Sequence, residues 1–244
     1  MIRDDLLFFG IEQDVSRETF VMHELNEQSL HQLRFGWPLS ETEYNLFSRY
    51  VNLVEDYSNR INLIPGGDLP RIVSKHIYES LQFLRVDSLS NQAAVLDLGS
   101  GAGFPGIPIK IMNPETPVTL VDSKRKKCLF LSEVVEELHL AGVDVVCDRV
   151  ENLSSRGYYV RYDFVVARSV ADLSRLWQWS QPLLKQGGKV ITLKGGDLEE
   201  EMGAFQKHFA DAPVLGIFPE NDLFPANDKK FIIIQKHRTE AKTG

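Results

Sequence analysis

From residue 94 onward, short apolar runs alternate with stretches of helical periodicity, and that rhythm sets the expected fold. Ala94–Leu98, Val118–Val121, Val143–Cys147, Phe164–Ala167, Lys189–Leu193, Val214–Phe218 and Phe231–Gln235 are the strand candidates. Helical patterns fall between them at about Ile107–Met112, Lys124–Leu140, Val170–Leu184 and Leu198–Phe209. The early runs are continuously apolar, as parallel strands covered on both faces are. Alternation of this kind predicts a doubly wound α/β sheet with ligands at the carboxyl ends of its strands. Only a loop containing Pro and Asn joins the last two runs, too short for a helical crossover, so they should pair antiparallel.

The N-terminal part has a different rhythm. Arg17 to Leu33 is charged and helix-permissive, and Ser40-Glu41-Thr42-Glu43 supplies an N-cap with a carboxylate three positions on, the mark of a capping box. A helix should run from there to about Tyr57, with Tyr44, Phe47, Tyr50, Val51 and Val54 along one face. Asn59 to Leu69 reads as a loop around Pro65-Gly66-Gly67, and a second amphipathic helix is expected over about Pro70 to Leu84, placing Ile72, His76, Leu81 and Leu84 near one another. Asp87 to Gln92 reads as a polar connection. The expected organisation is a helical extension and cap over 1–93, a ligand-binding domain over 94–236 and a tail over 237–244.

Composition narrows the class. A chain of 244 residues with 43% hydrophobic and 25% charged residues can bury a sizeable core. No apolar run approaches the ~18 residues of a membrane span. The first residues, Met1 to Phe9, carry acids where an export signal carries bases, so the expected location is the cytoplasm. Cys128 and Cys147 lack metal-ligand spacing and read as free thiols; no metal site is expected. A net charge of −7 argues against indiscriminate nucleic-acid binding while leaving room for a local basic face.

Four glycines fall within the eight residues from Gly99 to Gly106, directly after the first strand candidate. Gly101-Ala102-Gly103-Phe104-Pro105-Gly106 satisfies the GxGxxG string of dinucleotide sites. A pyrophosphate wants bare amide donors and no nearby anion. Here Asp97 stands at the strand tip, and Pro105 and Pro108 delete two donors. S-adenosylmethionine, with its ammonium and sulfonium, suits a carboxylate beside a glycine loop. Asp122, followed by Ser123, ends the next strand about 20 residues on, where a ribose diol acceptor is expected. The competing reading is a tight structural turn with Asp97 as a local cap. Val150 and Glu151 lie just after strand three, where such folds meet the adenine, with an exposed carboxylate as the plain alternative. Phe104 either lines the methionine pocket or packs under the loop. The expected cofactor contacts are thus Asp97, Gly99, Gly101, Gly103, Phe104, Asp122, Ser123, Val150 and Glu151.

The stretch Asp97 to Pro108, with its Gly-Phe-Pro-Gly-Ile-Pro, resembles the cofactor loop of the bacterial 16S ribosomal RNA guanine-N7 methyltransferases, also called the glucose-inhibited division protein B family. The resemblance continues through Leu120-Val121-Asp122-Ser123 with Lys126-Lys127 and Phe130-Leu131, then Arg149-Val150-Glu151, Arg168 and Leu193-Lys194-Gly195. Upstream, Asn62-Leu63 and His76-Ile77 with Ser80 fit the family's helical segment, so the match spans roughly residues 30 to 236. The chain departs from the family's usual pattern at Tyr57-Ser58, at Ile64, at Glu79 in place of Asp, and at Ala167 and Ser169 around Arg168.

The resemblance implies a Rossmann-like class I methyltransferase sheet and S-adenosylmethionine as cofactor. It also implies methyl transfer to guanine N7 in the helix-18 loop of 16S rRNA, with the RNA or the 30S subunit as partner and a monomeric enzyme. It places Arg168 near the cofactor, Lys194 against the guanine or a flanking phosphate, and Asn62 and His76 on the substrate side. The residues are compatible with this. Guanine N7 has a free lone pair, so transfer needs alignment more than a base, and no catalytic acid–base residue is expected. Ala167-Arg168-Ser169-Val170 is not the motif that holds an exocyclic amino group, and neither cysteine ends strand four or five, as pyrimidine C5 chemistry needs. A small-molecule methyltransferase remains as an alternative, with a nicotinamide-dependent oxidoreductase or a noncatalytic nucleotide-binding module behind it. Lys124-Arg125-Lys126-Lys127 opens a helix, where cations oppose the macrodipole; it reads either as a solvated helix end or as a phosphate-binding edge.

Overall fold

The computed structural model describes residues 17–87, 89, 92–219 and 229–237. In them seven strands form a single sheet of order β3-β2-β1-β4-β5-β7-β6. Strands β1 (Val95–Leu98), β2 (Val118–Asp122), β3 (Val143–Cys147), β4 (Tyr162–Arg168) and β5 (Leu184–Lys194) are parallel, whereas β7 (Lys230–Gln235) pairs antiparallel with both β5 and β6 (Val214–Pro219). Every residue of β1 and β2 is buried, in keeping with their unbroken apolar runs. Strand β3 lies at the edge, and its residues are half-buried or exposed. The register places Leu98 beside both Val121 and Ala167, Asp122 beside Cys147 and Arg168 beside Leu193, so the carboxyl ends share one rim. The order reverses between β1 and β4, and a doubly wound sheet opens its ligand crevice at such a point.

Seven α-helices are seen among the described residues: α1 (Arg17–Gly36), α2 (Glu41–Ser58), α3 (Tyr78–Val86), α4 (Gly106–Met112), α5 (Arg125–Glu137), α6 (Leu173–Ser180) and α7 (Glu199–His208). The capping box forms as expected: Ser40 Oγ accepts from Glu43 N, and Glu43 Oε2 accepts from Ser40 N. Phe47, Tyr50, Val51 and Val54 of α2 are buried, as their spacing demands. They share one core with Ile72, Ile77 and Phe83 and with Ile107, Phe130 and Phe231 on one face of the sheet. A second core fills the opposite face, where Leu96, Leu98 and Val165 meet Leu173 and Trp177 of α6 and Phe205 of α7.

Several boundaries differ from the sequence expectation. The helix expected over Pro70 to Leu84 is a composite: a 3₁₀ turn over Gly66–Arg71, a π-helix over Ile72–Ile77 and then α3. Proline cannot donate to a helix ladder, and Pro70 sits inside the 3₁₀ turn; at its end Arg71 leaves helical geometry with φ −127° and ψ 24°. The first glycines of the expected Asn59–Leu69 loop open the same turn. Helix α6 is shorter than expected because Ser169 adopts a left-handed φ of 55°, Asp172 caps the helix through Arg175 N, and Leu184 already belongs to β5. Helix α5 stops before His139, which has a φ of 51°. The expectations placed on residues 1–16, on the loop over 220–228 and on the tail beyond 237 lie outside the described residues, as do 88, 90 and 91 of the polar connection. Among the described residues no helix is long and apolar enough to cross a membrane.

Candidate active site

The site begins where β1 runs out. Ser100 ties the tips of the two central strands together: its N donates to Val121 O at 2.9 Å, and its Oγ accepts from Val121 N at 3.0 Å. The turn then folds back on itself through Gly103 N to Ser100 O at 2.7 Å and Phe104 N to Ser100 O at 3.0 Å. Two glycines are required by space. A Cβ on Gly103, whose φ is 98°, would lie 2.6 Å from Ile107 Cγ1 and 2.9 Å from Tyr50 Oη. One on Gly106 would overlap Leu120 Cδ2 and lie 2.8 Å from Asp97 Oδ2.

The two acids at the strand ends do different work. Asp97 is fully buried; its Oδ2 accepts from Gly106 N at 2.9 Å, and its Oδ1 is buried with no partner. Burial pushes its carboxyl up to about 7, against the opposing pull of the Gly106 amide, Ser100 and Arg168. A carboxylate oxygen left without a donor is ready to receive a cation. Asp122 braces the corner from the neighbouring strand: Oδ2 accepts from Gly101 N at 3.1 Å and Oδ1 from Lys124 N at 2.8 Å. Each of its oxygens keeps a further lone pair.

Above these groups lies a cleft of about 290 Å³ that collects Gly99, Asp122, Ser123, Val150 and Glu151 from the expected cofactor set. It is also lined by Asp148, Val170 and Trp179, which sequence reasoning did not single out. Asp148 orders its far wall, accepting from Arg149 N at 2.7 Å and Asn152 Nδ2 at 2.8 Å. Val170 reaches the glycine turn because Ser169 reverses the chain; its Cγ2 would lie 2.9 Å from a Cβ on Gly99. Trp179 had a faint signal, falling off the buried Leu173, Leu176, Trp177 and Ser180 face of α6.

Asp97, Gly101, Gly103, Phe104 and Arg168 do not line this cleft. Phe104 is only 3% exposed and packs under the loop, stacked on His76 with centroids 5.1 Å apart, tilted against Tyr50 at 5.4 Å, and 5.2 Å beneath the Arg168 guanidinium. Of the two placements open to it, the packing one is adopted. Tyr50 Oη donates to Ala102 O at 2.6 Å, locking the turn onto α2. Arg168 donates to Glu79 Oε2 at 3.0 Å, and Glu79, only 1% exposed, also accepts from Lys229. His76 Nε2 lies 3.3 Å from Asp68 Oδ2 without hydrogen-bond alignment, and both ring nitrogens are buried without partners. Burial, reinforced by Arg168 and Lys75, lowers His76 to about 3, so the ring is neutral.

Lys194 sits beside the cofactor cleft. It donates to Ala171 O at 2.8 Å and pairs with Glu201 at 2.5 Å, lining a depression of about 320 Å³ with Ser169, Val170 and Gly195. Val170 borders both hollows. On the other side of the glycine turn, Asn62 and Lys124, Arg125, Lys126 and Lys127 line a common opening of about 570 Å³, to which Ser58, Asn59 and Arg60 also contribute. None of its five cations makes an ion pair within the described residues. The Lys127 ammonium approaches to 3.6 Å of where a Gly101 Cβ would stand, joining this opening to the donor corner. Arg60, which lies 5.4 Å over the Tyr57 ring, was missed because one arginine in a polar loop carries no pattern. Among the described residues no group of three or more His, Cys, Asp or Glu could hold a metal ion.

Comparison with known proteins gives this arrangement a family. The model of GidB, rRNA small subunit methyltransferase G, matches residues 43–214. The chain is 36% identical over 180 residues to the ribosomal RNA small subunit methyltransferase G of Oenococcus oeni, covering 73% of this chain and 72% of that one. It is 36% identical over 211 residues to the protein of the same name from Staphylococcus epidermidis, covering 85% and 87%. Among solved structures, a SAM-dependent methyltransferase from Aquifex aeolicus shares the fold with a TM-score of 0.52 at 17% identity, covering 71% of this chain and 94% of that one. The chain therefore belongs to the rRNA small subunit methyltransferase G family, and it is an S-adenosylmethionine-dependent methyltransferase acting on 16S ribosomal RNA.

Proposed function

We propose that this enzyme methylates N7 of one guanine in the helix-18 loop of 16S rRNA. The observation that carries the reading is the basic opening, without ion pairs among the described residues, joined by Lys127 to a donor corner whose Asp97 Oδ1 is buried and unsatisfied. When bound, S-adenosylmethionine supplies an electrophilic methyl group on its sulfonium. Asp97 receives the donor's ammonium, Asp122 with Ser123 its ribose hydroxyls, and Val150 and Glu151 its adenine. Gly99, Gly101 and Gly103 keep the turn narrow, while Phe104 and Arg168 support it from below.

On the acceptor side, Lys124, Arg125, Lys126, Lys127 and Arg60 bind phosphates, which position the RNA without reading its sequence. Asn62, the neutral His76 and Lys194 serve the acceptor base and its flank. Both nitrogens of His76 lack partners, so the ring can give or take a hydrogen bond once a neighbour moves. No proton has to leave N7 before transfer, so alignment in a dry site is the protein's contribution and no general base is assigned. The described helices α1 to α3, from Arg17 to Val86, cap the domain that begins at residue 94, and the enzyme works as a monomer in the cytoplasm on the RNA or the 30S subunit.

The test is methyl transfer to 16S rRNA and to 30S particles from a strain lacking the gene, followed by mapping of the modified base. A methyl group at a guanine N7 in helix 18 is expected. Modification at another base type, or labelling of neither substrate, would overturn the proposal.

A further inference from the structure

Two groups outside the donor and acceptor sites meet at the back of Asp122. Cys128 stands on the first turn of α5, is 5% exposed, and donates its thiol to Asp122 O at 3.2 Å. The same carbonyl oxygen accepts from Asp148 N at 3.1 Å, and Asp148 directly follows Cys147. Cys147 stands opposite Asp122 in the β2–β3 register. Side chains along a strand alternate faces. Val143 and Val145 pack into the core that contains Phe130 and Leu131 of α5, whereas Val146 packs into the opposite core. Cys147 therefore shares the α5 face, and the two thiols, 19 positions apart in sequence, are brought to the same corner.

From this juxtaposition we infer that Cys128 and Cys147 form an oxidisable pair whose disulfide weakens cofactor binding. It is a modification site behind the donor cleft, beside the Asp122 and Asp148 that line it, and its reagent is a peroxide. Cys147 is exposed and Cys128 buried, which sets the order of events. The Cys147 thiolate attacks the peroxide O–O bond and becomes a sulfenic acid, while the departing oxygen takes up a proton. Cys128 sulfur then attacks the Cys147 sulfur; its thiol proton leaves with the sulfenic hydroxyl as water, and the S–S bond closes. Two thiols are oxidised by two electrons, which end on the peroxide oxygens. Burial and the neighbouring Cys147 push the Cys128 thiol up to about 12, so it is poorly reactive alone and serves as the resolving partner.

The link to binding is mechanical. A disulfide takes Cys128 Sγ away from Asp122 O and ties the end of β3 to α5. Asp122 lines the donor cleft together with residues 148–151, which continue directly from Cys147.

The inference rests on the reading that Asp122 holds the cofactor, so the experiment keeps the two apart. The full chain is treated with hydrogen peroxide, digested without reductant and mapped by mass spectrometry. Titration calorimetry with S-adenosylhomocysteine follows before oxidation, after it, and after dithiothreitol. Expected are a peptide joining Cys128 to Cys147, about tenfold weaker binding by the oxidised protein, recovery on reduction, and unchanged affinity in peroxide-treated Cys147→Ser. Absence of the joined peptide overturns the pair. Undiminished affinity in the cross-linked protein, or an equal loss in Cys147→Ser, overturns its link to binding. Failure of the untreated protein to bind S-adenosylhomocysteine would count against the assigned cofactor site instead, and the peptide map would still decide the thiol chemistry.

Discussion

The donor corner and the basic opening beside it are adjacent, yet they are built in opposite ways. At the donor corner almost every polar group already has a partner within the chain: Ser100, Gly101 and Gly106 bond to a strand end or a carboxylate, Gly103 and Phe104 bond back to Ser100 O, and Asp97 Oδ1 is the conspicuous orphan. At the basic opening five cations stand without carboxylate partners among the described residues, and four of them, Lys124 to Lys127, crowd the N-terminus of α5, where the helix dipole adds to their field instead of offsetting it. One region is finished before its ligand arrives and admits one shape. The other is an unbalanced field that a phosphate chain completes, which suits a flexible polymer. Preorganisation serves the small ligand; uncompensated charge serves the large one.

The strongest way to break this comparison is at the orphan. Asp97→Asn should weaken S-adenosylhomocysteine binding by about a hundredfold or more, of the order expected when one partner of a buried ion pair is lost, as read by calorimetry. The same variant should alter the pH dependence of the ligand-free enzyme. Because the folded carboxyl titrates near 7 and its ordinary value is 3.8, the native state holds a proton that the unfolded chain has released between those limits. Stability from this group is complete below about pH 4 and lost as pH rises through about 7. Wild type should therefore lose stability relative to Asp97→Asn across that window in urea titrations. Equal pH profiles would contradict the assignment.

Next comes the close packing of the corner. Gly106→Ala should cost about 2–3 kcal/mol of stability, within the range for overpacked interiors, and lower cofactor affinity as well. The basic opening should respond in the opposite manner. Lys126→Ala or Arg60→Ala should leave thermal stability within about 0.5 kcal/mol, while the slope of log K for RNA against log salt falls by about 1 for each cation removed. An unchanged slope would reduce the opening to a solvated surface. The smallest effect on either ligand belongs to Ser40→Ala, which removes one half of the capping box: it should cost about 1 kcal/mol of stability with catalysis unaltered.

What the sequence revealed follows the same division. Elements with a clear period, the seven strands and the capped helix α2, stand close to where hydrophobic spacing put them. Local chemistry was legible too: Asp97 and Asp122 do occupy consecutive strand ends beside the turn. Contacts between distant segments were not. Arg168 at the end of β4 had the right place for a cleft residue, yet Glu79, 89 positions upstream, draws it onto the floor. Phe104 sits in the family motif but is enclosed by Tyr50 and His76 from the N-terminal helices. The π-helix that carries His76 has no spacing signal of its own, because it differs from an α-helix only in which carbonyl each amide finds. Arg60 and Val170 owe their importance to what faces them.

The position of β7 has a bearing on how the molecule is made. Residues 230–235 lie between β5 and β6, so during synthesis β6 has no strand to pair with until β7 leaves the ribosome. The growing chain can assemble the parallel half of the sheet and the donor corner early, while Ile191 and Leu193 of β5 wait with one edge bare for Ile233 and Phe231. Unpaired edges of this kind invite association, and the enzyme's exposure to aggregation is therefore concentrated in the interval between translation of residue 194 and residue 235.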